Sequence, residues 1–147
     1  LDFVPLVRLP PYALFAPDHP LAGQHFVTPQ DLAPYPMVLL DLPFSTDYFL
    51  EVFRPHGLRP NVVERTRDMG VMRAMVANGF GYSIANISPQ SDLAPDGQRL
   101  RHVPLRGADP LRLGLVLAEG ARAALTIRAF IDHCRAEVTA ESLGAGA

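Results

Sequence analysis

Between residues 37 and 87 the chain alternates apolar runs with amphipathic segments, and this alternation restricts it to few architectures. MVLLDL (37–42) is apolar almost throughout, the pattern of a strand buried on both faces. STDYFLEVFRPHG follows, with Ser45 or Thr46 placed to cap a helix. Its apolar face is Tyr48, Phe49, Val52 and Phe53, and Gly57 is expected to end it. NVVERT (61–66) reads as a second strand. Asp68 opens a second helix with Met69, Met72, Met75 and Val76 on its apolar face, and YSIANI (82–87) reads as a third strand. Strand–helix–strand–helix–strand order predicts an α/β fold with a largely parallel sheet.

The flanks are consistent with this. FVPLVRL (3–9) and YALFAP (12–17) are strand-like and are split by Pro10-Pro11. Thr28, Pro29 and Asp31 form the signature of a capping box with proline at the first helical position. Pro95-Asp96-Gly97 marks a turn, and LRHVPL (100–105) and LRLGLVL (111–117) are strand-like. Ile127, Phe130, Ile131, Cys134 and Val138 form one stripe of a 3.6-residue period, which predicts a closing helix. The tail TAESLGAGA is expected to be disordered.

Composition excludes several function classes. The 13 basic residues are all arginine and are spread along a chain of formal net charge −2, so no basic patch for nucleic acid is visible. No apolar run reaches the roughly 18 residues of a membrane span, and no secretory signal pattern opens the sequence. One cysteine allows no internal disulfide and no cysteine-based zinc site, which fits a reducing, cytoplasmic setting. Cys134 lies on the apolar stripe and is read as a buried, inert thiol.

MVANGFGYSIAN (75–86) raises the question of a cofactor loop. Gly79 and Gly81 follow a helix and precede a strand, whereas a dinucleotide loop follows a strand and precedes a helix; the third glycine position is Ile84. A helix stop with positive φ and a tight entry into a buried strand is the better reading. No histidine pair has metal-ligand spacing, and no acid pair, triad or metal cluster survives, so neither cofactor, metal nor enzyme activity is expected. What remains is the rule that ligands settle at strand carboxyl ends and helix starts. Those places are Phe44, Ser45 and Thr46; Thr66, Arg67, Asp68 and Met69; and Asn86, Ile87 and Ser88. Ser45 is either a helix cap or, with Thr46 and the free N–H groups, part of a small-anion site. Arg65 and Arg67 share a strand face, either as a solvated pair or with Arg67 reaching a ligand carboxylate.

YALFAPDHPLA, VTPQDLAPYPMVLL, FRPHGLRPNVV, MVANGFGYSIAN, GQRLRHVPL and AFIDHCR, in that order, resemble the effector-binding domain of LysR-type transcriptional regulators over about residues 1–136. The resemblance implies a fold like the type 2 periplasmic binding proteins: two α/β lobes joined by two crossover strands, with the first lobe incomplete here. Lobe two would span 17–104. Residues 1–16 would hold part of lobe one and the first crossover, and 105–136 would return to lobe one before a tail at 137–147. Crossovers would lie near 13–17 and 103–105. A small, anionic effector would contact Phe44, Ser45, Thr46, Arg67, Asp68, Met69, Asn86 and Ile87, and ligand-dependent lobe closure would control transcription. Asn86 stands where many family members have proline, so it could donate to an effector oxygen. The implied partners are a second copy or three in a homodimer or homotetramer, and DNA through a winged helix-turn-helix absent from this chain; no membrane is involved. Lobe one without its first strands is expected to leave a sheet edge and apolar surface uncovered. A solute-binding protein of a transporter, which shares the architecture, is the alternative.

Overall fold

In the computed structural model, which describes residues 1–87 and 91–143, the chain opens with β1 (Asp2–Leu9) and β2 (Tyr12–Phe15) on either side of the two prolines. There follow α1 (Pro29–Leu32), β3 (Pro36–Leu40), α2 (Ser45–Glu51), a 3-10 turn (Arg54–His56), β4 (Asn61–Thr66) and α3 (Met69–Ala77). The chain continues with β5 (Ser83–Ala85), β6 (Arg101–Pro104), β7 (Leu111–Leu117), a 3-10 turn (Ala121–Ala123) and α4 (Leu125–Glu137). Two compact units result: Leu1–Pro10, Asn86–Pro89 and Pro110–Ala147 form one, and Pro11–Ala85 with Gln90–Asp109 form the other. They are called the terminal and central units below. No helix among the described residues is long and apolar enough to cross a membrane.

The central unit is built on β3. Met37, Val38 and Leu39 are fully buried and Leu40 nearly so, as expected of a strand covered on both faces. β3 pairs in parallel with β4, with an irregularity between Met37 and Val38. On its other side a single parallel bridge joins Met37 to Tyr82 through Tyr82 N–H to Pro36 O (3.0 Å) and Val38 N–H to Tyr82 O (2.8 Å). β2 lies between β5 and β6 and is antiparallel to both. The sheet is therefore mixed, and the expectation of a largely parallel one is corrected. Alternation with helices fixes the direction of β3 and β4, but β2 precedes that alternation and runs against its neighbours. Ala13 pairs with Val103 inside this unit.

Local signals position the helices. Thr28 and Asp31 form the capping box: the Asp31 N–H reaches Thr28 Oγ1 at 3.3 Å, and Asp31 Oδ2 accepts from the Thr28 N–H at 2.9 Å. Phe49, Val52 and Phe53 carry α2 and the turn after it into the core. Gly57 does not end α2 as expected. The α-helix stops at Glu51, and Gly57, at φ 67°, closes the 3-10 turn that Pro55 favours. Asp68 caps α3 by accepting from the Val71 N–H at 2.9 Å. Met72 and Val76 are fully buried, while Met69 is 38% exposed.

The glycine pair is a helix stop and a close approach. Gly79, at φ 83°, donates to Val76 O (3.0 Å), and the Phe80 N–H donates to Met75 O (3.0 Å), the two bonds of a Schellman motif. At Gly81 a Cβ would lie 2.6 Å from Pro36 O, so only glycine lets the chain enter the bridge to β3. β5 is shorter than expected: Asn86 forms a bend after Ala85.

In the terminal unit β1 and β7 pair antiparallel, from Asp2 opposite Leu117 to Leu9 opposite Leu111, with a bulge between Pro5 and Val7. Proline has no N–H for the ladder, which suits it to the bulge. Its partner Gly114 has no room for a side chain, because a Cβ would collide with Val4 O and the Phe3 ring. Arg122 grips Asp2 through both carboxylate oxygens. Of the stripe expected on α4 only Ile131 is buried; Phe130 is exposed and Cys134 half-buried. The expectation of a buried thiol is corrected, for the described residues of this unit give α4 only a two-stranded sheet to pack on. Leu125 and Val116 are exposed as well. After α4, Thr139 and Ser142 exchange backbone-to-hydroxyl bonds. The last four residues of the expected tail lie outside the described residues.

Candidate functional site

Parallel pairing of β3 with β4 brings their carboxyl ends side by side, with Leu40 opposite Thr66 and the Asp41 N–H donating to Thr66 O at 2.8 Å. The two loops that leave this edge carry six of the eight candidate residues. Phe44, Ser45 and Thr46 come from the first and Arg67, Asp68 and Met69 from the second. Asn86 and Ile87 belong to the terminal unit, and Ser88 lies outside the described residues.

Phe44 is the N-cap of α2, at φ 65° and ψ −26°, the only non-glycine residue with positive φ among the described residues. The residue is 93% exposed. A bulky side chain in the left-handed region costs energy. Leu42 O accepts from both the Ser45 N–H (3.2 Å) and the Thr46 N–H (3.3 Å), so Pro43 and Phe44 are the two central residues of a turn, with Phe44 at its second, left-handed position. This corrects the capping expectation. Ser45 is the first helical residue and caps nothing, and Thr46 donates instead to Asp41 Oδ1 at 2.7 Å. Two N–H groups expected to be available for an anion are thus already used on Leu42.

Asp41 organises this edge. Its Oδ1 holds Thr46 and its Oδ2 lies 3.7 Å from the Arg65 guanidinium. Sequence reasoning missed Asp41, whose only signal is its place at the end of an apolar run. Arg65 is thereby occupied, whereas among the described residues no hydrogen bond or ion pair holds the exposed Arg67 side chain. Asp68 is engaged as the α3 cap, and its own N–H donates to Thr66 Oγ1 at 3.2 Å. Met69 is partly exposed in the first turn of α3. The two loops at this edge therefore carry an exposed aromatic residue, an uncommitted guanidinium and a partly exposed thioether, next in the chain to an organised Thr–Asp–Arg group. Such a surface can hold a small molecule with an apolar body and an anionic group.

In the terminal unit Asn86 is 5% exposed and its Nδ2 donates to Leu9 O at 2.8 Å. That bond fastens the end of β1, a structural task without any signal in the sequence. Ile87 is 40% exposed. Another side chain that sequence reasoning missed is Arg73, which is 4% exposed on α3 and donates to Ser91 O at 2.8 Å and to Leu93 O at 3.3 Å. Among the described residues no group of three or more His, Cys, Asp or Glu is arranged to hold a metal ion.

Comparison with known proteins is consistent with this geometry. Residues 1–139 match the LysR substrate binding domain family model. The HTH-type transcriptional regulator CysB of Burkholderia cenocepacia is 32% identical over 126 residues, which cover 78% of this chain and 39% of CysB. The crystal structure of HinK, a LysR family transcriptional regulator from Pseudomonas aeruginosa, superposes with a TM-score of 0.80 at 32% identity, over 94% of this chain and 49% of HinK. The effector binding domain of QuiR, in complex with shikimate, shares the fold at 17% identity, with a TM-score of 0.71 over 92% of this chain and 64% of that one. The chain thus spans half or less of the length of CysB and HinK, and the shared fold is the type 2 periplasmic-binding-protein-like α/β fold, of which it covers part. On the family match and the identity to CysB, the chain belongs to the LysR substrate binding domain family.

Proposed function

We propose that this domain is the small-molecule sensor of a bacterial transcriptional regulator, and that its effector is a small carboxylate or similar anion bound at the β3–β4 edge of the central unit. The observation that carries the site is Phe44, an exposed aromatic residue held in the left-handed region. Strain of this kind persists where the surroundings over-determine it and clusters at ligand clamps. Arg67, which follows β4, supplies a planar guanidinium suited to bidentate recognition of a carboxylate. Shikimate, named as the ligand in the QuiR complex, is a carboxylate, which supports the same class here. Thr46 and Ser45 line the approach, with Thr46 oriented by Asp41. Asp68 and Met69 shape the opposite side. Asn86 and Ile87 remain candidates on the family resemblance alone.

Effector binding would shift the population between conformational states of the regulator. The central unit corresponds to lobe two and the terminal unit to part of lobe one. The regulator would act in the cytoplasm as a homodimer or homotetramer and contact DNA through a winged helix-turn-helix elsewhere in the protein. The family match to regulators leaves the transporter reading without support.

A thermal-shift screen of small aliphatic and aromatic carboxylates tests the proposal. A ligand at 100 times its Kd should stabilise the fold by about 2.7 kcal/mol. Arg67→Ala should abolish the shift, and Thr46→Ala should reduce it. A shift that survives both substitutions would refute this site.

A further inference from the structure

We infer that Tyr48 and His56 form a latch that ties α2 and its 3-10 turn to residues 106–109, the segment by which the chain leaves the central unit. A displacement of α2 at Phe44 is thereby carried into that segment. The second clause rests on the reading of Phe44 as part of the effector site; the latch itself does not.

Two side chains, one on α2 and one on the 3-10 turn after it, reach two carbonyls of one short segment. The Tyr48 hydroxyl donates to Asp109 O at 2.8 Å, and His56 Nε2 meets Gly107 O at 2.8 Å. A carbonyl only accepts, so Nε2 carries the proton. Nδ1 is then the acceptor for the Gln30 side-chain amide of α1, 3.2 Å away, which fixes that tautomer. Gly107 sits at φ 85°, and a Cβ there would lie 3.4 Å from Pro29 Cδ and 3.7 Å from His56 Nε2, so the segment turns where His56 meets it. Its start is held separately. The Arg106 N–H donates to Val27 O at 2.9 Å, the Leu105 N–H donates to Pro11 O at 3.2 Å, and the Arg106 guanidinium stacks 3.9 Å above the Phe26 ring. The beginning of the segment is thus tied to the β2 side of the unit and its end to α2.

The α2 body transmits rather than absorbs motion. Phe49, Val52 and Phe53 are buried, so helix and 3-10 turn share one core footing. The strained residue is at one end of this body and the latch residues lie along it, with His56 in its last turn. Asp109 is the last residue of the central unit and Pro110 the first of the returning chain. Coupling of this kind requires a contiguous physical path and a perturbation that travels along it.

The test is backbone NMR on the whole 147-residue chain, with no ligand, read at the carbonyl carbons of Gly107 and Asp109 and as backbone order parameters at 106–109. Tyr48→Phe combined with His56→Ala should move both carbonyl resonances and lower the order parameters of 107–109 to below about 0.6, the flexible range. Resonances of Val38 and Leu39 should stay in place, which separates release of the latch from general loosening. His56→Gln, which keeps a side-chain donor, should restore most of the order. Phe44→Gly should shift the Gly107 and Asp109 carbonyls in the otherwise natural chain and have no effect there once the latch is removed. Unchanged carbonyl shifts and order parameters in the Tyr48→Phe/His56→Ala variant would overturn the latch. A Phe44→Gly effect of equal size with and without the latch would overturn the transmission. A failure to find an effector would touch neither result.

Discussion

Gly79 and Gly81 are two residues apart and both have positive φ, yet replacing them should differ in cost and in kind. A Cβ added at Gly79 would meet nothing within 4 Å, so Gly79→Ala bears only the backbone penalty of φ 83°, about 1–2 kcal/mol. The Schellman bonds to Val76 and Met75 can persist, and Gly79→Asn, which tolerates the left-handed region, should cost less. At Gly81 the new Cβ would stand 2.6 Å from Pro36 O, which is backbone and cannot rotate away. The bridge must open, and the bonds of Tyr82 to Pro36 O and of Val38 to Tyr82 O go with it. At about 0.5–1.5 kcal/mol each, these add about 1–3 kcal/mol to the strain of the backbone, so Gly81→Ala should cost at least about 2 kcal/mol. For a chain of this size a kcal/mol corresponds to about 2–4 °C in Tm. Melting followed by circular dichroism should therefore rank the variants natural, Gly79→Asn, Gly79→Ala, Gly81→Ala. Gly79→Ala proving as damaging as Gly81→Ala would refute the separation of backbone strain from steric approach. If both were neutral, the motif would have no structural role.

Two further outcomes follow from the buried groups. Tyr82 is fully buried, no protein group among the described residues meets its hydroxyl, and burial pushes its pKa well up. Tyr82→Phe should leave Tm unchanged or raise it, since an unpaired buried hydroxyl costs stability; a loss above about 1 kcal/mol would mean the hydroxyl is satisfied. Burial lowers the pKa of His19 against the pull of Asp18, and burial and then Arg73 lower that of His102 against the pull of Asp92. The unfolded chain thus binds more protons below about pH 6.5, so stability is full above that pH and falls as pH drops beneath it. Tm should be lower at pH 5.5 than at pH 7.5, with a shallower slope in His102→Gln; a Tm that rises on acidification across this window would contradict the assignment.

What is legible in the sequence is what neighbours along the chain decide. The capping box at Thr28, the Asp68 cap, the turn at Gly97 and the bounds of β7 depend on residues a few positions apart, and the structure has them. The two-faced burial of β3 follows from an unbroken apolar run. Features that depend on distant partners are hidden. Arg73 reads as the polar side of α3, yet its acceptors are carbonyls 18 and 20 residues away. The direction of β2 depends on strands about 70 and 90 positions later. The candidate site is legible as a place but not as an arrangement. Strand ends point to Phe44 and Arg67, but no sequence pattern announces a phenylalanine at positive φ or a threonine turned toward Asp41. The six-residue stretch from Asp41 to Thr46 is compatible with a serine cap by residue type, and only the tight turn onto Leu42 O excludes it.

The central claim is that a small carboxylate binds at the β3–β4 edge. Backbone amide chemical shifts of the domain, followed during titration with shikimate and with whichever carboxylate gives the largest thermal shift, test it most directly. Saturable shifts centred on Phe44, Ser45, Thr46, Arg67, Asp68 and Met69, lost in Arg67→Ala, are the predicted result. Saturable shifts confined to other residues, with these amides unmoved, would contradict it.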